Sequence, residues 1–157
     1  MWDELREDIE FQLAELRDLC ERSASELSQS VQPAGDFVAA LAAGAALHAF
    51  YCGIENSLKR IEVLTGGALP RGESWHIELL EAAGADTGAR PWVLGDDLRE
   101  RIATYLRFRH AFRNVYPQHL EWARLAPLLQ GMGETLERFE CQLREFLVRL
   151  ETWPRPS

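Results

Sequence analysis

Arg107, Arg109, His110, Arg113, Asn114, Tyr116 and His119 fall within one stretch, YLRFRHAFRNVYPQH (105–119), that contains no acidic residue. The chain as a whole carries a net charge of −8. A local excess of positive charge on an acidic protein must therefore meet an anion or be held by water. Guanidinium groups do not lose their charge by titration, and their planar forks of N–H donors match phosphate oxygens. His110 and His119 supply imidazoles, the side chain best suited to moving protons near neutral pH. Asn114 can position a group but cannot transfer a proton. From Arg101 to Leu120 there is no carboxylate to repel a phosphodiester. Tyr116 adds a ring able to stack on a base or to donate a hydrogen bond. The chemistry these residues suit is the binding of phosphate.

The element that must position them is a helix. Leu98, Ile102, Tyr105, Arg109, Phe112 and Tyr116 recur four and three residues apart, which places them on one stripe with Arg109 in its middle. Arg113 lies one turn on, about 40° around the helix from Arg109. Arg107, His110 and Asn114 share the adjacent flank. An arginine on an apolar stripe also has a structural reading, as one half of a buried ion pair. Glu55 is the expected partner, because Phe37, Leu41, Gly44, His48, Tyr51, Glu55 and Leu58 form a similar stripe. Such a pair could equally hold the arginine in place for binding.

Four further helices are expected. Leu5, Ile9, Leu13, Leu16, Cys20 and Leu27 mark a first helix over about residues 2 to 30. QPAGD breaks it, with Asp36 placed to cap a second helix from Phe37 to Leu64 that ends at Gly66–Gly67. The small residues of AALAAGAA would allow close approach of another backbone. Ser74 can cap a short third helix, WHIELLEAAG, and Asp96 or Asp97 the fourth, which Pro117 should stop near Tyr116. Leu125, Leu129, Met132, Leu136, Phe139, Leu143, Phe146 and Leu150 form the stripe of a fifth. Gly131 and Gly133 weaken its early part by about 1 kcal/mol each relative to alanine. No segment alternates with period two. The expected class is all-α, an antiparallel bundle of four long helices and one short one.

At 157 residues, the chain is long enough for one domain with a real core, expected over 1–152, with 153–157 a frayed tail. Cys20, Cys52 and Cys141 are odd in number and widely spaced, which suits reduced, buried thiols of a cytoplasmic protein. MWDELRED is no signal peptide, and AALAAGAALHAFYCG is too short and interrupted to cross a bilayer. His48 has no second ligand at metal spacing and reads as a hydrogen-bonded core residue. His76 reads as a solvent-facing first-turn residue. No metal or cofactor motif is present.

The stretch Arg109-His110-Ala111-Phe112-Arg113-Asn114-Val115-Tyr116 resembles the motif of the HEPN superfamily, and within it the HepT-like ribonuclease toxins. Their frame is arginine, a polar residue, a gap of about three, then histidine, often followed by x-Tyr. FYCGIENSLKRIE, WHIELLE and RPWVL extend the resemblance over most of the chain. The departure is Asn114 at the histidine position. The resemblance implies a HEPN-like bundle and metal-independent cleavage of RNA, with tRNA a candidate substrate, without cofactor, the catalytic set carrying over to Arg109, Asn114 and His110. It implies a weakened or disarmed catalyst, because asparagine cannot serve as acid or base. It also implies a homodimer with both motifs in one cleft, and a minimal nucleotidyltransferase antitoxin that transfers AMP to Tyr116. Arg113, Arg107 and His119 would bind RNA phosphate. A second register, Arg113-Asn114 followed by His119, fits a looser spacing but lacks the tyrosine, since Glu121 stands there. A non-catalytic nucleotide- or partner-binding module of the same fold is the alternative.

Overall fold

The computed structural model describes residues 1–29 and 37–155. Among these residues five α-helices follow one another: α1 (Asp3–Gln29), α2 (Phe37–Leu64), α3 (Trp75–Ala82), α4 (Asp96–Asn114) and α5 (Trp122–Glu151), with a 3₁₀ turn at Pro117–His119 before the last. No strand occurs among the described residues. The protein is an all-α helical bundle.

The apolar stripes read from the sequence form its core. Leu5, Ile9, Leu13 and Leu16 of α1 are buried, while the side chain of Leu27 and the expected cap at Asp36 lie outside the described residues. On α5, Leu125, Met132, Leu136, Phe139, Leu143, Phe146 and Leu150 are buried and Leu129 is packed against them. Each stripe recurs every three or four residues, so its side chains leave the helix on one side and remove a continuous apolar face from water. Helix α2 packs against α1, α3, α4 and α5. It is long and apolar enough to span a membrane by length and composition, a continuity that the reading of AALAAGAALHAFYCG as a short, interrupted run missed. Its buried residues include Glu55 and Ser57, and its inner face forms part of the protein core.

Several boundaries differ from expectation for local reasons. Helix α4 ends at Asn114, because Val115 and Tyr116 are extended; a residue before proline is pushed out of helical geometry. Asp96 and Asp97 occupy the first turn of α4, where carboxylates suit the helix dipole, and Gly95 holds the cap position. The Gly95 amide donates to Gln142 Oε1 at 2.8 Å. Ser74 precedes α3 without a side-chain capping bond. At the end of α2, Gly66 adopts φ +86° and the Gly67 amide donates to the Glu62 carbonyl at 2.8 Å; this left-handed turn favours glycine. At Gly44 the expected close approach is made by a ring: a Cβ there would lie 2.7 Å from Phe112 Cε2. Phe37, at the first turn, is 51% exposed and does not join its stripe in the core. Cys141 is exposed, since it falls off the buried face of α5.

The connection between α3 and α4 is organised by a residue the sequence did not single out. Arg90 is 1% exposed. Its Nε donates to Glu62 Oε1 at 2.8 Å, and its two amino groups donate to the carbonyls of Ala82, Ala85 and Pro91 at 3.0–3.1 Å. One side chain thereby joins the end of α2 to the end of α3 and to the loop beyond it.

Candidate functional site

The stripe of α4 runs from the core to the surface. Leu98, Ile102 and Tyr105 are buried, Arg109 and Phe112 are half-buried, and Tyr116 is 73% exposed. Arg109 therefore sits where the helix leaves the interior, with its stem in protein and its charge near the boundary. Its Nη1 donates to His76 Nε2 at 3.3 Å. Its Nε is buried without a partner. Among the described residues no carboxylate forms an ion pair with it.

The expected Arg109–Glu55 pair is replaced by a three-residue relay. His76 Nδ1 lies 2.5 Å from Glu55 Oε2. A carboxylate only accepts, so Nδ1 carries the proton and Nε2 is left to accept from Arg109. Glu55 is 4% exposed and His76 7% exposed. Lys59 Nζ stands 3.6 Å from the other oxygen of Glu55. Burial, and then the neighbouring Glu55 carboxylate, push the Tyr51 phenol well above its usual range. The Trp75 ring covers His76 with centroids 3.5 Å apart, and Lys59 lies 4.4 Å over the same tryptophan.

His76 thus corrects the expectation of a solvent-facing residue. With Leu79, Leu80 and Ala83, all buried, it makes a stripe at spacings of three, four and seven. That pattern was present in the sequence, but an eight-residue helix offers only one repeat of it. His48 is half-buried, with Nδ1 unpartnered and Nε2 3.6 Å from Cys52 Sγ, so its expected hydrogen bonding is met only at one nitrogen and only by sulfur. Burial, then the charges of Arg109 and Arg113, hold its pKa below the ordinary imidazole value, against the pull of Glu55.

The other predicted residues divide among flanks. Arg107 and His110 line an open groove of about 420 Å³ between α3 and α4, floored by Leu80, Ala103 and Leu106. The His110 ring stands edge-on to His76, 6.0 Å away between centroids. Arg113 and Asn114 are exposed at the helix end. Asn114 Nδ2 donates to the His110 carbonyl at 2.8 Å, a side-chain bond back to the carbonyl one turn earlier. His119 lies in the 3₁₀ turn and lines a separate hollow with Phe108, Phe112, Leu120 and Arg124. The fold therefore brings Arg109, His76, Glu55 and His110 together and sets His119 on another flank.

Among the described residues no group of three or more His, Cys, Asp or Glu could hold a metal ion. A family model described as HepT-like protein matches residues 42–150. The chain belongs to the HepT-like family of the HEPN superfamily. No curated protein and no solved structure matches it. The match runs through α2, α3, α4 and nearly all of α5, so every member of the relay lies within the HepT-like region, as do Arg113, Asn114 and Tyr116.

Proposed function

We propose that this HepT-like protein acts on RNA at the C-terminal end of α4, with Arg109 receiving the phosphodiester. The observation that carries this reading is the unpaired guanidinium. A half-buried arginine with a partnerless buried Nε and only an imidazole nitrogen as acceptor is an incomplete structure energetically. Leaving a charged donor group unsatisfied costs about 1–3 kcal/mol or more. An anion completes it. Arg107, Arg113, Asn114 and Tyr116 are exposed around the same helix end, where RNA phosphates and a base can be met, the carboxylates of Glu81, Asp96 and Glu100 lying along the groove that Arg107 and His110 line.

The reaction class is transesterification within RNA. The 2′-oxygen bonds to the adjacent phosphorus while the bond from phosphorus to the 5′-oxygen breaks. A base takes the 2′-hydroxyl proton, and an acid protonates the departing 5′-oxygen. Arg109 stabilises the charge gathering on the non-bridging oxygens, and His110 is the nearest exposed imidazole for proton movement. Asn114 holds position without titrating, so cleavage is slow. The active unit is a homodimer in which two such helix ends share one cleft. Its regulator is a minimal nucleotidyltransferase that transfers AMP from ATP to the Tyr116 hydroxyl, releasing pyrophosphate. The adduct places a phosphate beside Arg109 and Arg113 and competes with RNA. Both RNA and ATP place this chemistry in the cytoplasm.

The test compares cleavage of tRNA and unstructured RNA by the native chain, Asn114→His and Arg109→Ala, with RNA affinity measured alongside. Restoring an imidazole at 114 is expected to raise cleavage roughly 10²- to 10⁴-fold, and Arg109→Ala to abolish it. Intact mass after incubation with the antitoxin and ATP should show one AMP per chain, lost in Tyr116→Phe. Full RNA affinity in Arg109→Ala would refute the site. Tight, Arg109-dependent binding without cleavage in any variant would favour a binding module, a reading to which the engaged amide of Asn114 lends weight.

A further inference from the structure

We infer that His76, held by Glu55, is the residue that positions Arg109 for its anion; this rests on the phosphate-binding reading above. Three helices meet at the relay. Glu55 comes from α2, His76 from α3 and Arg109 from α4. The order of bonds fixes a direction. Glu55 holds the proton on Nδ1 at 2.5 Å, which leaves Nε2 as a bare acceptor aimed at Arg109 Nη1 at 3.3 Å. A guanidinium has five N–H donors in a rigid plane. Fixing one amino group therefore fixes the plane, and the remaining donors keep the orientation that a phosphate needs.

The surroundings of His76 hold the ring itself in place. On α2, Lys59 stands 3.6 Å from the second oxygen of Glu55 and helps to hold its carboxylate in place. On α3, Trp75 covers the ring face. On α4, His110 stands edge-on at 6.0 Å. A neutral acceptor suits this task better than a carboxylate would. Direct pairing with Glu55 would neutralise Arg109 and weaken its pull on phosphate, whereas the imidazole orients the guanidinium and leaves its charge uncompensated. Carboxylate-oriented histidines at metal sites follow the same logic, in which an outer partner sets tautomer and ring orientation. His76 is 7% exposed and acts through Arg109, so it is a positioning residue.

Two substitutions separate this role from packing. His76→Phe keeps a ring under Trp75 but removes the acceptor, whereas His76→Gln keeps an acceptor at the Nε2 position without the ring. The probe is a short fluorescent single-stranded RNA, bound to the full-length chain at fixed salt, with thermal melting recorded for every variant. Phe is expected to weaken binding about ten- to a hundredfold, and Gln to recover most of that loss. In an Arg109→Ala background, Phe should change affinity less than twofold. Native-like affinity in the Phe variant, or equal losses in Phe and Gln, would overturn the positioning role. If Phe does not fold, Gln decides it, since a loss as large as that of Arg109→Ala refutes rescue by an acceptor. If Arg109→Ala itself binds RNA normally, the site reading fails first, and that outcome is distinct from native-like Phe with defective Arg109→Ala.

Discussion

Replacing Arg90 by methionine tests whether the fold depends on one buried cation to place α3, and so His76. The side chain is 1% exposed and donates to three backbone carbonyls as well as to Glu62. Methionine fills much of the stem volume but restores no donor. The carbonyls of Ala85 and Pro91, left without a partner, cost about 1 kcal/mol each, and the stranded carboxylate of Glu62 about 2 kcal/mol, while the Ala82 carbonyl keeps the Ala85 amide as its donor. The total, about 4 kcal/mol, agrees with the 3–5 kcal/mol typical of removing one partner from a buried pair. Glu62 is 12% exposed at its side chain, so some water reaches it and the lower end is the better expectation. At about 2–4 °C per kcal/mol for a domain of this size, melting should fall by roughly 6–16 °C. Far-UV circular dichroism at fixed protein concentration reads this directly. Arg90→Lys should recover little, because a single ammonium cannot span the four acceptors that the guanidinium fork reaches. The amides of Val93 and Leu94, which donate to the Ala83 carbonyl at 2.7 and 3.0 Å, should exchange faster. RNA affinity should fall as well, although Arg90 touches no member of the relay. A methionine variant melting within about 2 °C of the native chain would refute the reasoning, showing that backbone packing places α3 without the cation.

Two other measurements bear on packing and on thiol chemistry. At Gly133 a Cβ would meet nothing within 4 Å, so Gly133→Ala should stabilise α5 by about 1 kcal/mol in thermal melts. At Gly53 a Cβ would lie 2.6 Å from the Cδ2 atom of buried Leu16, so Gly53→Val should destabilise through overpacking by about 1–3 kcal/mol, and equal stability in both variants would contradict the α1–α2 contact. Cys20 is raised to about 11 by burial and then by Glu21, so it stays a thiol at pH 8. Peptide mapping after brief alkylation should find the exposed Cys141 modified before Cys20, and early labelling of Cys20 would place it at the surface.

How far the sequence reached can be argued from these same residues. Helical periodicity says which side chains leave a helix together, and for α1 and α5 that was enough: their stripes are the core. Proline chemistry placed the end of α4 within two residues. The inward direction of Glu55 followed from its stripe on α2, whereas the stripe on α4 put Arg109 among apolar residues without showing that the helix leaves the core there. Periodicity cannot say which side chain on one inward face meets which on another. That depends on how a third element inserts, and α3 inserts between Glu55 and Arg109 with an imidazole. Arg90 was missed for a related reason. It lies in an irregular connection, where no repeat marks the inside, and its acceptors are mostly backbone carbonyls that carry no residue signature.

The same limit explains why the candidate site looked paradoxical in the sequence. A charged stripe residue beside a buried carboxylate suggested self-neutralisation, which would leave nothing to bind an anion. Inserting His76 removes the paradox. The carboxylate is engaged by the imidazole and by Lys59, and the guanidinium keeps its full charge at the point where α4 leaves the core. Glu55→Gln separates the two arrangements. Under direct neutralisation, removing the carboxylate charge would free Arg109 and strengthen anion binding. Under the relay, glutamine can still accept from Nδ1 but holds the tautomer less firmly, so RNA affinity should fall severalfold. A rise in affinity on that substitution would restore the ion-pair explanation and remove the role assigned to His76.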